Sequence, residues 1–548
     1  MRMNKKFICF IIAFILAGCD GNGAGEDDGG VQDGTVQDGN KADAGDADTD
    51  ADTDTDSDSD ADADADSDAD GDLDAGEDAC MYDPEDRVGW VQTWGGDAGV
   101  FGTGVAVGPD DSIVVVGDFK GTADFNPGPL GEIHESAISG SSYVSKFDSD
   151  GDYLWTKVFK GTWSALASGV AVTQNGSILI GGYFYQTMDF DPGVGVEERT
   201  AEPSYNPYIL MLDKNGKYEW VIKATSDGSV TLTDLKLSSS ENIYIMGDFD
   251  QDVVFQTVLG EQEHNTIGEY SVYVAKASSE GEFLWSKSMG SAGLDEGDAL
   301  DVGPDESVVI IGKFESTMDF DPGAGIDEYT SNDLGDTFLI KLDSDGEYQW
   351  GRHIQGPGIE FGRAVAVDDD GNVYAGIEHQ GILDLDPDNP GWEADCTDRD
   401  CFSIAKYNSS GAYVWTRTIT SDHSIDISDI ISNSESVVLS GTLIGFADFD
   451  PGDAIEWKGR DPGIGANVFL FKLGYDGSYY WTAIIEETGS IFHPYIATSQ
   501  SNDYYSTGWF MGTVDFDPTA CEDNRTAGAG KLNDAFLWKV SEQGTYYK

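Results

Sequence analysis

The sequence predicts an all-β fold, a seven-bladed β-propeller with four-stranded blades of about 65 residues. The first observation is a tryptophan series with spacings of 65 or 66 residues: Trp90, Trp155, Trp220, Trp285, Trp350, Trp415 and Trp481. The second is a glycine series in the same phase: Gly151, Gly216, Gly281, Gly346, Gly411, Gly477 and Gly544. The third is a series of apolar residues: Phe125, Phe190, Phe255, Phe320, Leu385, Phe449 and Phe516. Such self-similarity at a fixed period is typical of repeat architectures.

Each repeat contains four short apolar runs separated by turn residues. In the second repeat they are residues 169–172, 177–182, 207–212 and 217–222. Gly216 ends the last tight turn, where a positive φ is required. A lysine precedes that turn in most repeats, at Lys146, Lys276, Lys341, Lys406, Lys472 and Lys539, and Met211 stands in the missing place. Four antiparallel strands without helical periodicity favour a propeller over a solenoid.

The two ends of the repeat region complement each other. Residues 534–540 repeat only a third strand, and the chain stops where the fourth-strand tryptophan is expected. Residues 89–94 read as a fourth strand without its third. We therefore predict that N- and C-terminal strands share one blade and close the ring, which removes free sheet edges.

The repeat resembles the bacterial SBBP-type β-propeller family, and its strand order is similar to that of NHL-type propellers. The shared pattern is GVAVxxDGxxxxxGxF, then FDPG, then an apolar strand with lysine, then DxxGxxxW, and it covers residues 87–548. The third repeat departs from it, with Val254-Phe255-Gln256 in place of FDPG. The resemblance implies an exported propeller and no defined activity.

The N-terminus predicts export. A basic segment, residues 1–6, precedes the apolar residues 7–16 and the sequence Leu16-Ala17-Gly18-Cys19. This ending resembles the bacterial lipobox, which implies cleavage before Cys19 and acylation of its thiol with fatty acids such as palmitate. The alternative is an ordinary secretory signal. Residues 1–19 are thus a predicted lipoprotein signal peptide. We expect a cell-envelope location at the outer membrane or cell surface, with the inner membrane left open by Asp20.

Residues 20–79 predict an acidic disordered linker, followed by the propeller over residues 80–548. The linker alternates aspartate with small residues and has almost no apolar surface to bury. Within it, Asp66, Asp68, Asp70, Asp72 and Glu77 fit the spacing of a calcium-binding EF-hand loop. The alternative is chance, because an Asp-x-Asp run creates half of this pattern and no amphipathic helix flanks it.

The charge of the chain narrows the classes of possible binding partner. The chain has 102 acidic and 30 basic residues, a formal charge of −72, which argues against nucleic acid and against electrostatic docking on an anionic membrane. Contact with the membrane is expected only through the N-terminal lipid.

Four cysteines lie after the signal. Cys396 and Cys401 predict a disulfide across a short polar loop, and Cys80 with Cys521 predicts a second one.

Repeated Asp-Phe-Asp-Pro-Gly motifs offer two interpretations. Their carboxylates, at Asp189 and Asp191, Asp319 and Asp321, Asp448 and Asp450, and Asp515 and Asp517, could form a ring that binds calcium. The favoured interpretation is local: the aspartate caps its turn, proline presets φ, glycine takes a positive φ and phenylalanine packs between blades. The tryptophan series is likewise favoured as inter-blade packing over a sugar-stacking platform.

No catalytic motif is present, which favours a non-catalytic binding or scaffold module over a hydrolase or lyase acting on extracellular polysaccharide. Any unique site should interrupt the repeat, and the clearest interruptions are residues 389–401 and the loops around Phe492 and Cys521. The loops between second and third strands, such as residues 194–206, 324–335 and 453–465, vary in sequence. We expect them to bind an unknown protein or glycan.

Overall fold

Antiparallel strands make up the fold of this chain. The computed structural model describes residues 88–546 except 127, 333–334, 387–390, 392, 453, 464, 486–488, 520 and 529–531. The all-β prediction is confirmed: the described residues form strands and turns and include no helix, so none that could cross a membrane.

The strands of each repeat pair in the order first, second, third, fourth, and the described residues contain seven such sheets. Sheet 1 comprises Val100–Val107, Ile113–Phe119, Ser141–Phe147 and Tyr153–Gly161. Sheet 2 comprises Ala165–Val172, Ile178–Asp189, Glu198–Leu212 and Tyr218–Lys223. Sheet 3 comprises Asp234–Leu237, Ile243–Phe249, Ser271–Ala277 and Phe283–Met289.

The later repeats continue this order. Sheet 4 comprises Glu296–Val302, Val308–Phe314, Asp336–Leu342 and Tyr348–Ile354, and sheet 5 comprises Phe361–Val367, Val373–Asp384, Glu393–Tyr407 and Tyr413–Ser421. Sheet 6 comprises Ser424–Ser432, Ser436–Ile444, Asn467–Gly474 and Tyr479–Ile485. Sheet 7 comprises Ser490–Thr498, Tyr504–Met511, Asp534–Val540 and, from the other end of the chain, Trp90–Gly96. Trp90 lies opposite Lys539, and Trp94 lies opposite Ala535.

Each repeat also has a small hairpin between its second and third strands, which the four-strand prediction missed. Separate hairpin strands are Thr122–Asp124 with Ile133–Glu135, Val253–Thr257 with Gly260–His264, Thr317–Asp319 with Glu328–Thr330, Phe446–Asp448 with Trp457–Gly459, and Thr513–Asp515 with Asn524–Thr526. In sheets 2 and 5 the long second and third strands extend into it. Most of residues 194–206, expected to be a loop, therefore lie in a strand.

The small hairpins join neighbouring repeats. Asp124 of repeat 1 pairs with Gly95, at the end of the fourth strand of sheet 7. Asp189 pairs in the same way with Lys160 of the preceding sheet, and Asp448 with Thr420. Because a fourth strand is the outer edge of its sheet, this pairing covers an edge that would otherwise present free backbone groups.

The core lies between adjacent sheets. All seven members of the Phe125 to Phe516 series are fully buried, as the inter-repeat packing hypothesis predicts. Four of them contact the aromatic residue six positions earlier, on the second strand of the same repeat, and Phe190 packs edge-on against Phe184 with ring centroids 5.2 Å apart. Burial of such large side chains is the main stabilising contribution in a repeat that cannot bury both faces of its sheet alone.

The tryptophan and lysine series bind the next repeat. Trp285 Nε1 and Lys276 Nζ both donate to the carbonyl oxygen of Ser344, at 3.1 and 3.2 Å. Trp415 and Lys406 donate in the same way to the carbonyl oxygen of Tyr475, and Trp481 and Lys472 to that of Glu542. All seven glycines of the series have φ between 71° and 83°, as predicted for these turns. The packing interpretation of the tryptophans is confirmed.

Candidate functional site

One end of the sheets collects most of the unusual side chains. Since neighbouring strands are antiparallel, the first strands begin and the second strands end at the same side, where the small hairpins also lie. We call this side the mouth end, and the opposite side, with the tight turns such as that at Gly151, the turn end.

Carboxylates at the mouth end connect repeats through the backbone. Asp118, Asp248 and Glu378 occupy equivalent positions of the repeat on second strands, and each accepts an N–H from the first strand of the next sheet. The donors are Ala167 at 3.4 Å, Gly297 at 2.8 Å and Ile427 at 2.9 Å. Burial raises the pKa of Asp118 and of Asp248 well above the usual range, although these hydrogen bonds oppose it.

A second layer lies further along the first strands. Asp234, Asp301 and Asp429 accept backbone N–H groups of the following repeats, and the Asp301 bond to Val367 is 2.7 Å long. Burial disfavours the charge on Lys236, but attraction from these three carboxylates outweighs it and raises its pKa. Burial raises the pKa of Asp301 to about 6, opposed by Lys236. This layer is a compact ionic cluster whose members already have partners.

Arg363 organises the charges at the mouth end of sheets 4 and 5. Its Nε donates to Glu378 Oε2 at 3.0 Å and its Nη1 to Asp298 Oδ1 at 3.3 Å. The guanidinium also lies 4.2 Å from the ring centroid of Phe361. Burial raises the pKa of Asp298 to about 7, against the attraction of Arg363.

A cleft of about 400 Å³ opens beside Arg363. Its lining includes Phe361, Glu378, Asp400, Cys401 and Asp426. Desolvation raises the pKa of Asp426 despite the pull of Arg363, and the nearby charge of Asp400 adds to the increase. Burial raises the pKa of Glu378 as well, again opposed by Arg363. The cleft therefore contains two carboxyl groups that hold protons more tightly than ordinary acids.

A disulfide forms part of the wall of this cleft. The structure joins Cys396 to Cys401, with Cα atoms 6.1 Å apart. Cys521 is also in a disulfide, whereas its predicted partner Cys80 lies outside the described residues. Residues 389–401, predicted as an interruption of the repeat, thus contribute to a cleft at the mouth end.

Aromatic side chains occupy the mouth end of sheets 7, 1 and 2. Phe492 stacks on Trp509 with centroids 4.4 Å apart, and Phe101 meets Trp509 edge-on at 5.6 Å. All three are half-buried. In sheet 2, Tyr205 packs against Tyr183 at 5.7 Å, and Trp163 and Tyr185 extend this cluster. Half-exposed aromatic faces of this kind are suited to apolar or sugar ligands.

The tips of the small hairpins carry exposed aliphatic side chains. Val196, Ile326 and Ile455 occupy equivalent positions and are 71, 79 and 68% exposed. Leu130 and Leu259 are exposed at the tips in the first and third repeats. Apolar side chains raised on a polar frame are typical of contact surfaces.

The Asp-Phe-Asp-Pro-Gly motif acts locally. Asp189 Oδ1 accepts the N–H groups of Asp191 and Glu197 at 3.1 and 2.8 Å, and Asp191 Oδ1 accepts that of Gly193 at 2.8 Å. The other motifs repeat these bonds at Asp319, Asp448 and Asp515. The local interpretation of the aspartates is confirmed, but one part of it is wrong. Gly193, Gly323 and Gly452 do not take a positive φ.

The physical reason for the motif glycine is space. A Cβ on Gly193 would lie 2.9 Å from Asp191 Oδ1, the atom that its own N–H binds. No group of three or more acidic, histidine or cysteine side chains arranged to hold a metal occurs in the described part of the chain. The candidate calcium ligands Asp66, Asp68, Asp70, Asp72 and Glu77, and the acylation site Cys19, lie outside the described residues.

Sequence reasoning missed most of the mouth-end residues. Arg363 stands where the first two repeats have Thr103 and Ser168 and the fourth has Asp298, so charged residues replace small polar ones at this position. Glu378 and Trp509 occupy the position of Asp118. Variation at these two phases of the repeat was a usable signal, although only the structure shows which phases meet at the mouth end.

Comparison with known proteins places the chain among repeat proteins. No protein-family model matches it. An uncharacterized WD repeat-containing protein of Acanthamoeba polyphaga mimivirus is 22% identical over 418 residues, which is 62% of this chain and 30% of that protein. The chain therefore spans less than a third of this relative's length.

Two solved structures are similar at low sequence identity. Polysaccharide lyase Uly1 aligns with a TM-score of 0.40 and 11% identity over 80% of this chain and 90% of its own. NanB sialidase from Streptococcus pneumoniae aligns with a TM-score of 0.32 and 8% identity over 83% of this chain and 95% of its own. The repeated four-stranded sheets, together with the WD-repeat relative, indicate a repeat β-propeller.

Proposed function

We propose that this chain is a seven-bladed β-propeller that acts as a non-catalytic binding module at the cell envelope. Two observations support the ring. Trp90–Gly96 pairs with Asp534–Val540, and each first strand contacts the first strand of the next sheet, including Ser490–Thr498 with Val100–Val107. A closed cycle of first strands is what a propeller requires around its axis.

The observation that carries the binding role is the division of the mouth end into two kinds of surface. The half-buried rings of Phe101, Phe492 and Trp509 offer contact area, whereas Glu378 and Asp248 are bonded to backbone N–H groups and Glu378 also to Arg363. Carboxylates engaged in this way support the architecture and orient a ligand. They are less free to exchange protons in a reaction.

The partner is a neutral or basic protein or glycan that contacts the mouth end and the small hairpins. The charge of −72 opposes acidic partners. The exposed tips at Val196, Ile326 and Ile455 add apolar contacts at the periphery. These exposed side chains lie on hairpins that capping aspartates hold rigid, and such an arrangement favours a binding role.

The test is binding by the full-length chain to a glycan array and to cell-envelope fractions. Trp509→Ala and Phe101→Ala should each weaken binding at least fivefold with little change in melting temperature. Tyr480→Ala is the matched control, because Tyr480 is a 52% exposed aromatic close to the turn end. Equal binding by wild type and both mouth-end variants would contradict the proposal.

A second candidate, a hydrolase or lyase acting on extracellular polysaccharide, is favoured by the raised pKa values of Glu378 and Asp426 in one cleft. A general acid must keep its proton at neutral pH, and burial provides this. Incubation of the full-length chain with polysaccharides, followed by assay of reducing ends and of unsaturated products, separates the two roles. Turnover that disappears in Glu378→Gln would establish the enzyme.

We further propose that Cys19 carries the lipid and that residues 20–79 hold the propeller away from the membrane. A thioether-linked lipid with a further acyl chain would anchor the protein stably, whereas one chain would not. Labelled palmitate should enter the wild type and not Cys19→Ala. Equal labelling of the two proteins would exclude lipidation at this residue.

A further inference from the structure

A polar cleft lies apart from the mouth-end aromatics, between repeats 2 and 3. It has a volume of about 530 Å³ and is bordered by the end of Tyr218–Lys223 and by the hairpin Val253–Thr257 with Gly260–His264. This hairpin belongs to the repeat that lacks FDPG, where Val254 replaces the capping aspartate. The departure from the repeat thus coincides with a cavity of the size of a small-molecule site.

Asn206 lines this cleft with an unused acceptor. In four other repeats the equivalent residue accepts an N–H from the preceding connection, for example Ser271 Oγ from Ile267 at 2.9 Å and Asp336 Oδ2 from Asn332 at 3.0 Å. Asn206 is only 2% exposed, yet its Oδ1 has no hydrogen-bond partner among the described residues. Such an atom normally finds a partner, since burying it unpaired costs about 1–3 kcal/mol.

The backbone explains why repeat 2 differs. Its third strand, Glu198–Leu212, begins early and continues the pairing of the small hairpin, with a register shift between Ala201 and Asn206. The connection therefore does not turn back across Asn206 to donate an N–H. The side of this residue that the connection covers in other repeats therefore faces repeat 3.

Repeat 3 contributes a second unused group. Thr266 lines the same cleft, its N–H is bonded to Asp252 Oδ1 at 3.3 Å, and its buried Oγ1 has no partner among the described residues. Lys223 lines the cleft from repeat 2 and forms no ion pair within the described part of the chain. Acceptors, a hydroxyl and an ammonium donor therefore meet in one cavity.

We propose that this cleft binds a saccharide unit that is neutral or carries an amino group. Sugar hydroxyls both donate and accept, so the hydroxyl groups of a saccharide can pair with Asn206 Oδ1, Thr266 Oγ1 and Lys223 Nζ. Four acids line the cleft against one lysine: Asp227, Asp250, Asp252 and Glu263. This excess disfavours uronates and phosphates and favours an ammonium group. The cleft is distinct from the aromatic side chains Phe101, Phe492 and Trp509, and this proposal is independent of the binding role proposed for them.

The test uses the full-length chain and three trisaccharides, of glucosamine, glucose and galacturonate, with dissociation constants from titration calorimetry. We expect the first two to bind and the third to bind at least tenfold more weakly. Thr266→Val and Glu263→Gln should each weaken glucosamine binding at least fivefold. Glu328→Gln is the matched control, because Glu328 occupies the cross-strand position of Glu263 in the next repeat.

Three results would overturn the proposal. The first is no binding of any trisaccharide by the wild type. The second is equal affinity of the wild type and of both cleft variants. The third is binding that is abolished by Trp509→Ala but not by Thr266→Val, which would place the sugar at the aromatic side chains around Trp509 and support that site instead.

Discussion

The indole of Trp220 lies so close to Gly281 of the next repeat that a Cβ there would fall 2.8 Å from its ring atoms. Gly281 also has a φ of 80°. The same relation links Trp155 to Gly216 and Trp350 to Gly411. Two separate requirements, a left-handed backbone and an indole neighbour, therefore fix glycine at this position.

Replacement of Gly281 by alanine should separate the two requirements. We expect Gly281→Ala to lower the free energy of unfolding by about 2–4 kcal/mol, from backbone strain plus displacement of Trp220. Gly260→Ala is the control, because Gly260 has a φ of 114° and no atom within 4 Å of an added Cβ. It should cost about 1 kcal/mol. Equal losses, measured by denaturant unfolding, would show that the indole contact contributes nothing.

Loss of Arg363 should leave two acids without their counterion. We expect Arg363→Met to destabilise the fold by on the order of 3 kcal/mol, because Asp298 and Glu378 would remain partly buried and unpaired. Adding Glu378→Gln should recover part of this loss. Arg352→Met serves as the control, since Arg352 donates only to backbone carbonyls. A double variant no more stable than Arg363→Met would argue against charge as the cause.

Stability should increase on mild acidification. Burial raises the pKa of Asp298 and of Glu360 to about 7 and that of Asp301 to about 6. These groups stabilise the fold below their unfolded pKa, near 4, and the contribution is lost as pH rises through 6 to 7. His264 and His379, with pKa lowered to about 4 by burial, act oppositely between pH 6.5 and 4.

Because buried acids outnumber buried histidines, we expect a higher melting temperature at pH 5.5 than at pH 8. Scanning calorimetry across this range measures the difference. Asp298→Asn should flatten the profile, since the amide cannot release a proton. A melting temperature that falls steadily from pH 8 to pH 5.5 would contradict the assignment of raised pKa values.

Removal of residues 534–548 should prevent closure of the proposed ring. The strand Asp534–Val540 lies between Tyr504–Met511 and Trp90–Gly96, so its loss leaves both neighbours with unpaired edges. We expect aggregation and loss of a single cooperative melting transition. Removal of residues 547–548 alone is the control. A truncated protein that melts like the complete chain would show that the two ends do not depend on each other.

The two disulfides should be separable by mass mapping under non-reducing conditions. We expect a peptide pair containing Cys396 and Cys401 and a second pair containing Cys80 and Cys521. Replacing Cys396 and Cys401 by serine should cost about 2 kcal/mol, the value expected for a loop of this length. Detection of four free thiols in exported protein would refute both pairings.

The repeated residues were predictable because each satisfies a local or nearest-neighbour requirement. A period of 65 residues identifies Trp285, Phe320 and Gly346 as members of three series, and the structure gives each the packing or turn role expected. The small hairpins were missed because each of their strands is only three residues long in most repeats. Strands of that length carry too little alternation to be recognised.

The mouth end was not predictable for a different reason. Arg363, Asp298 and Glu378 come from three strands of two repeats, and their contact depends on how adjacent sheets twist against each other. The cleft at Asn206 likewise depends on a register shift that no residue type specifies. Periodicity shows which residues are equivalent, whereas contacts between non-equivalent residues require coordinates.

The course of Trp90–Gly96 has a practical consequence for displaying this domain. The strand starts at the turn end, where Val88 and Gly89 bond to the carbonyl of Tyr546, and it ends beside Asp124 at the mouth end. A seven-residue strand spans about 23 Å. A fusion partner or surface linkage placed before this strand therefore attaches at the turn end. Immobilised protein should then keep the mouth end accessible to large ligands.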